Sequence, residues 1–146
     1  MKIYLDNCCL QRPLDNKAQL RIALEAQAIL SVLSLCMIGE VSLVSSKILQ
    51  FEVGRNPNSQ RRVYASEILA IAVEEVRLTD IVVKRAKEFE ARGFKALDSL
   101  HLASAEAHSV DFFCTCDDRF LKLAKQQTDI TLQVLSPLEL AEEVIA

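Results

Sequence analysis

The sequence predicts an α/β fold, a parallel sheet with helices on both faces, on three observations. Short apolar runs of strand length recur at 2–5, 41–44, 110–115 and 131–135. Between each neighbouring pair lies at least one stretch of helical character, the kind of connection that parallel strands need. Phe112, Phe113 and Cys114 are apolar at consecutive positions, the pattern of a strand covered on both faces.

The first run ends abruptly at Asp6-Asn7, residue types that leave a strand readily and can either turn the chain or act as a cap. From 18 to 38, Leu20, Leu24, Ile29 or Leu30, Leu33 and Met37 recur at helical spacing, and Gly39 stands where a terminating glycine belongs. The strand at 41–44 comes next. Ser45-Ser46 then offers an N-cap to a helix carrying Ile48, Leu49, Phe51, Glu52 and Val53, which Asn56-Pro57-Asn58 stops. Helices are expected at 59–75, at 79–92 ending on Gly93, and at 96–108, so three in succession separate the second and third strands. A helix at 119–125 joins the last two strands. Ser136-Pro137-Leu138-Glu139 is a capping box with Pro at the first helical position, and it opens the final helix.

With 146 residues, 51% of them hydrophobic, and no repeat or linker, one domain over 1–146 is expected. Charge is near balance, 17 basic residues against 20 acidic, so no global field draws the chain to nucleic acid or to an anionic membrane. Any polyanion must be met by a local patch. The N-terminus lacks the pattern of a signal peptide or anchor, and the apolar stretch from 22 to 38 is broken by Glu25, Gln27, Ser31 and Ser34, so no membrane association is expected. Five cysteines without an export signal favour reduced thiols and a cytoplasmic location. Cys8, Cys9, Cys114 and Cys116 would gather into a zinc site if their strands lay side by side. Neither pair has the usual two-to-four-residue spacer, so they read as small buried hydrophobes near strand ends.

Open parallel sheets place their sites outside the carboxyl ends of the strands. Asp6 stands directly after the first strand, and Asp117 just after the strand at 110–115. Two further acids sit in apolar company: Asp98 beside Leu97, Leu100, Leu102 and Ala103, and Glu52 between Phe51 and Val53. Desolvating a lone carboxylate costs several kcal/mol or moves its pKa towards neutrality. If the four converge they need a counter-charge, and Mg²⁺ or Mn²⁺ is the natural partner of an all-oxygen ligand set. Such a cluster activates water and neutralises phosphate charge, which points to phosphodiester hydrolysis. Singly, each acid has a plainer reading. Asp6, Asp98, Asp117 or its neighbour Asp118 can cap helices, and Glu52 can pair with Arg55 along its own helix.

Two other classes put an acid at the end of a first parallel strand. An aspartyl-phosphate phosphatase needs a second Asp two residues on, where this chain has Cys8; a phosphotransfer receiver needs a Lys closing the last strand, where it has Leu135-Ser136-Pro137.

The pieces KIYLDNCCL, SSKILQFEVGR, KALDSLHLASA and FFCTCDDRFLK, in that order and spacing, resemble the PIN-domain family, most closely the VapC-like toxins of prokaryotic toxin–antitoxin pairs. The resemblance implies a three-layer α/β/α sandwich around a mainly parallel sheet of four to five strands. It also implies that Asp6, Glu52, Asp98 and Asp117 bind Mg²⁺ or Mn²⁺ and cleave RNA, with Asp118 as the alternative fourth acid and Asn7 and Thr115 orienting the ligands. His101, three residues after Asp98, is given a structural or substrate-edge role, because the chemistry of that family runs on metal-bound water. RNA contacts are expected from Arg12, Lys47, Arg55, Arg61 and Arg62. Two tyrosines and no tryptophan argue against a base-stacking platform. A homodimer and a small antitoxin are the partners the resemblance implies. The competing reading is a PIN-like module that binds protein or RNA without catalysis.

Overall fold

Ile3, Tyr4 and Leu5 are all fully buried, so the first strand has no solvent face and must lie inside the sheet. In a computed structural model describing residues 1–145, this strand, β1 (Lys2–Leu5), occupies the centre of five parallel strands in the order β3-β2-β1-β4-β5. The others are β2 (Ser42–Ser46), β3 (Glu74–Val76), β4 (Phe112–Cys114) and β5 (Gln133–Leu135). Pairing runs Ile3 with Leu43 on one side and Leu5 with Cys114 on the other. The sheet grows from β1 towards β3, then resumes on the opposite side with β4. That reversal between β1 and β4 is the topological switch point, where the connections diverge and leave a crevice at the carboxyl ends.

Helices cover both faces. Helix α2 (Leu20–Met37) packs with α8 (Pro137–Ile145), while α5 (Asp80–Ala91) packs with α6 (Ala96–Ala107). Tyr4 stacks on Phe113 at 5.1 Å and meets the His101 ring of α6, and Phe120 of α7 (Asp118–Lys125) extends the aromatic layer. By strand alternation Ile3 and Leu5 serve the other face. Helix α2 is long and apolar enough to cross a membrane by composition alone. Here it is a core helix: Ala26, Ile29 and Val32 are buried, and Glu25 is buried against Arg12.

Caps anticipated in the sequence are in place. Ser46 Oγ accepts from Leu49 N–H at the start of α3 (Lys47–Gly54), and Ser136 and Glu139 exchange the two hydrogen bonds of a capping box. Gly39 and Gly93 end their helices with positive φ, 82° and 103°.

Three features depart from expectation. Of the two readings open at Asp6-Asn7 the chain takes the cap, but the helix that Asp6 caps, α1 (Asn7–Gln11), was not expected, and Arg12 sits in the 3₁₀ turn behind it. The helix expected over 59–75 stops at Leu69 (α4, Ser59–Leu69), and Glu74–Val76 forms β3 on the sheet edge. Two of its three residues are glutamates, poor strand formers, and pairing with β2 overrides them. Strand β2 also runs on through Ser45 and Ser46, so the capping serine is itself the last strand residue.

Candidate active site

Asp6 N–H donates to Cys114 O, which completes the β1–β4 ladder one residue beyond the strand. There the backbone turns, and the carboxylate swings over the crevice to accept from the Asn7 N–H at 2.8 Å. The Thr115 hydroxyl donates to the second oxygen at 3.0 Å, and itself accepts from Asp117 N–H. Thr115 is fully buried, so it orients Asp6 from below. Asn7 acts through its main chain; its side chain turns instead to Gln11. Asp6 is 7% exposed, and burial, the Cys8 thiol, and the charges of Glu52 and Asp98 raise its pKa well above the usual value despite His101.

Glu52, in the last turn of α3, is held by His101: Nε2 lies 3.1 Å from its Oε1. The other ring nitrogen lies 2.6 Å from Tyr4 Oη, which lies 2.6 Å from Ser46 Oγ. Ser46 already accepts from Leu49 N–H, so one ordering satisfies every group: Ser46 donates to Tyr4, Tyr4 to His101 Nδ1, and Nε2–H to Glu52. Burial lowers the His101 pKa, but the Glu52 hydrogen bond and the charges of Asp6, Glu52 and Asp98 outweigh it and raise it overall. Protonation reverses only the Tyr4 end; Nε2–H still donates to Glu52. Asp6, Glu52 and His101 each bring a ligating atom within 4.8 Å of the others.

Asp98 lies in the first turn of α6, half-buried, with its pKa raised by burial first and by Asp117 next. The two acids share the rim of a small cleft closed by Gly93, Lys95, Arg119 and Phe120. Asp117 Oδ1 caps α7, accepting from Arg119 and Phe120 N–H, and leaves its second oxygen unclaimed. Asp118 points elsewhere, to a two-toothed pair with Arg21 on the surface.

Among the described residues, no Lys or Arg forms an ion pair with Asp6, Glu52, Asp98 or Asp117; His101 on Glu52 is the one cationic contact. Asp98 and Asp117 stand outside the trio of Asp6, Glu52 and His101, and Asp98 feels both Asp117 and Glu52 through their charge; acids so little compensated suit a hard divalent cation, and carboxylate oxygens are the donors such an ion prefers. The basic residues near the rim are less free than their sequence positions suggest. Arg12 pairs with Asp15 and Glu25, Arg61 with Asp15, and Lys47 with Glu75. Arg62 donates to Asn56 O, and Arg55 lies over the Phe51 ring. His101 carries more of the site than its place in the sequence suggests, and its Tyr4–Ser46 support was not expected. The signal that could have found it was a tyrosine inside a fully buried strand, whose hydroxyl must find a partner.

Acids at the switch point of a parallel sheet mark a class, α/β proteins with an acidic crevice at the carboxyl ends of the strands. Within that class, residues 3–126 match the PIN domain family, and the chain belongs to it. PIN domains are generally nucleases that use divalent metals. Solved structures share the fold, two of them from toxin–antitoxin systems by their names. FitAcB from Neisseria gonorrhoeae aligns with a TM-score of 0.60 and 18% identity, covering 93% of this chain and 98% of that one. VapBC2 from Rickettsia felis, bound to a DNA fragment from its promoter, aligns at 0.58 and 16%, with the same coverage. The chain has no match among curated protein sequences.

Proposed function

We propose that this protein is a Mg²⁺- or Mn²⁺-dependent endoribonuclease, the toxin of a toxin–antitoxin pair, acting in the cytoplasm as a single-domain subunit of a homodimer. The observation that carries the reading is the set of four acids, Asp6, Glu52, Asp98 and Asp117, coupled across the switch-point crevice with no Lys or Arg to balance them.

In this reading those four carboxylates hold the cation. When bound, it supplies charge neutralisation at the scissile phosphate and lowers the pKa of water. The rest is done by the chain's own groups. Thr115 and the Asn7 N–H fix both oxygens of Asp6, so its ligand direction is set before substrate arrives. His101, backed by Tyr4 and Ser46, does the same for Glu52. Asp117 is locked by the helix it caps. Substrate is held by its backbone. Arg55 and Arg62 at the α3–α4 break serve best, since Arg12, Arg61 and Lys47 are paired with acids. The antitoxin is supported by the two fold relatives, and a shared face by exposed Leu30 and Met37 on α2 and Ile71 beyond α4, which leave an apolar groove with Tyr64.

The test is cleavage by the purified protein, free of any inhibitor, of labelled single-stranded RNA and DNA with Mn²⁺. RNA should be cut internally, DNA spared, and Asp6→Asn and Asp98→Asn should each abolish cutting. A folded protein that cuts no RNA in Mn²⁺ would overturn the reading.

A further inference from the structure

Four of the five cysteines meet at the carboxyl ends of β1 and β4, where the pairing of Leu5 with Cys114 brings α1 beside the β4–α7 connection. Cys9 Sγ lies 3.6 Å from both Cys114 Sγ and Cys116 Sγ. The sulfurs of Cys8, Cys9 and Cys116 all lie within 4.8 Å of one another. We propose that Cys8, Cys9 and Cys116 form a second metal site, specific for a thiophilic divalent cation, Zn²⁺, and adjoining the carboxylate crevice through Cys8, whose Sγ lies 3.5 Å from Asp6 Oδ2.

The spacing suits an ion. Zinc–sulfur bonds of about 2.3 Å in a tetrahedron hold their sulfurs about 3.8 Å apart, so this trio needs only small side-chain adjustment to close on one. Three thiols around one point are also more than a disulfide uses. The ligands are oriented as well: Cys116 N–H donates to Cys8 Sγ at 3.3 Å, a main-chain bond that steadies sulfur as it takes on negative charge. Arg12, in the turn behind α1, brings positive charge to this end of the molecule; its terminal nitrogens engage Asp15 and Glu25, while its buried Nε has no partner. Cys9 and Cys116 are buried while Cys8 is partly exposed, so an ion has a way in past Cys8. Soft sulfur selects Zn²⁺ over Mg²⁺ or Mn²⁺, which keeps the two sites chemically apart. Filling this one would tie α1 to the β4–α7 connection, the two segments that carry Asp6 and Asp117 at their borders.

Co²⁺ titrated into the full-length, metal-free protein, kept reduced with a phosphine, reads the site directly. Sulfur-to-cobalt charge transfer and tetrahedral visible bands should saturate at one equivalent, and Zn²⁺ should bleach them. Both should be lost in Cys8→Ser and Cys116→Ser and kept in Cys36→Ser and Asp98→Asn. A measurement without mutation accompanies it: Zn²⁺ should protect Cys8 of the wild-type chain from iodoacetamide while Cys36 stays reactive, and should raise Tm. Absence of charge transfer in the wild type, its survival in both serine variants, or recovery of Cys9 and Cys116 as a disulfide in the presence of Zn²⁺ would overturn the proposal. None of these readouts depends on RNA cleavage, so failure of the nuclease reading would leave them unchanged.

Discussion

Asp6 is the most buried acid of the crevice, and its environment has a measurable consequence. Burial, then Cys8, Glu52 and Asp98, hold its pKa well above the ordinary value; burial and Asp117 do the same, less strongly, for Asp98. In the unfolded chain both ionise in the ordinary carboxylate range. Between that range and the raised folded values the native state binds more protons, so stability from these groups is complete at low pH and lost as pH rises through the folded values. Thermal melts in EDTA should show Tm falling across that window, with Asp6→Asn flattening the fall and Mn²⁺ reversing it at neutral pH. A Tm that climbs through the window would contradict the sign. His101 makes a second prediction. Because it positions Glu52 without being needed as a base, His101→Gln should cut cleavage about 10–100-fold, the usual cost of losing a ligand-orienting group, with Mn²⁺ binding weakened in parallel. Rate loss with unchanged Mn²⁺ affinity would give His101 a different task. The acids themselves were legible in the sequence, since charge in apolar company stands out. Their support was not, because Tyr4, Ser46 and His101 come from three elements up to 97 residues apart.

Elements of this chain announce themselves by their ends. Ser46, the capping box at Ser136 and the glycines at 39 and 93 were readable because capping chemistry is local. Helix α1 escaped notice, being five residues long, and β3 was absorbed into a helix because Glu74 and Glu75 acquire strand character only by pairing with β2. The dual use of Asp117, cap and proposed ligand, can be separated. Asn caps a helix about as well as Asp. Asp117→Asn should therefore leave Tm nearly unchanged while lowering cleavage, whereas Asp118→Ala should spare cleavage, its carboxylate being spent on Arg21 at the surface. Ser46→Ala should cost about 1 kcal/mol from the lost cap, and it should also slow cleavage through the broken Tyr4–His101 chain. Denaturant melts beside cleavage assays check each.

At the level of the whole molecule, strand order decides where chemistry can occur. Alternation of strands and helices in the sequence implied a parallel sheet with its site at the carboxyl ends, but not that β1 would pair with both β2 and β4, the condition on which the meeting of the cysteines depended. The outward face of α2 gives a prediction at this scale: Leu30→Glu should shift the proposed dimer to monomer in sedimentation. The central claim, that the four acids act together as one cation site, is tested most directly by calorimetric titration of Mn²⁺ into the wild type, Asp6→Asn and Asp98→Asn. The account predicts saturable binding in the wild type and its loss in both variants. Equal affinity in all three proteins, each folded, would contradict it.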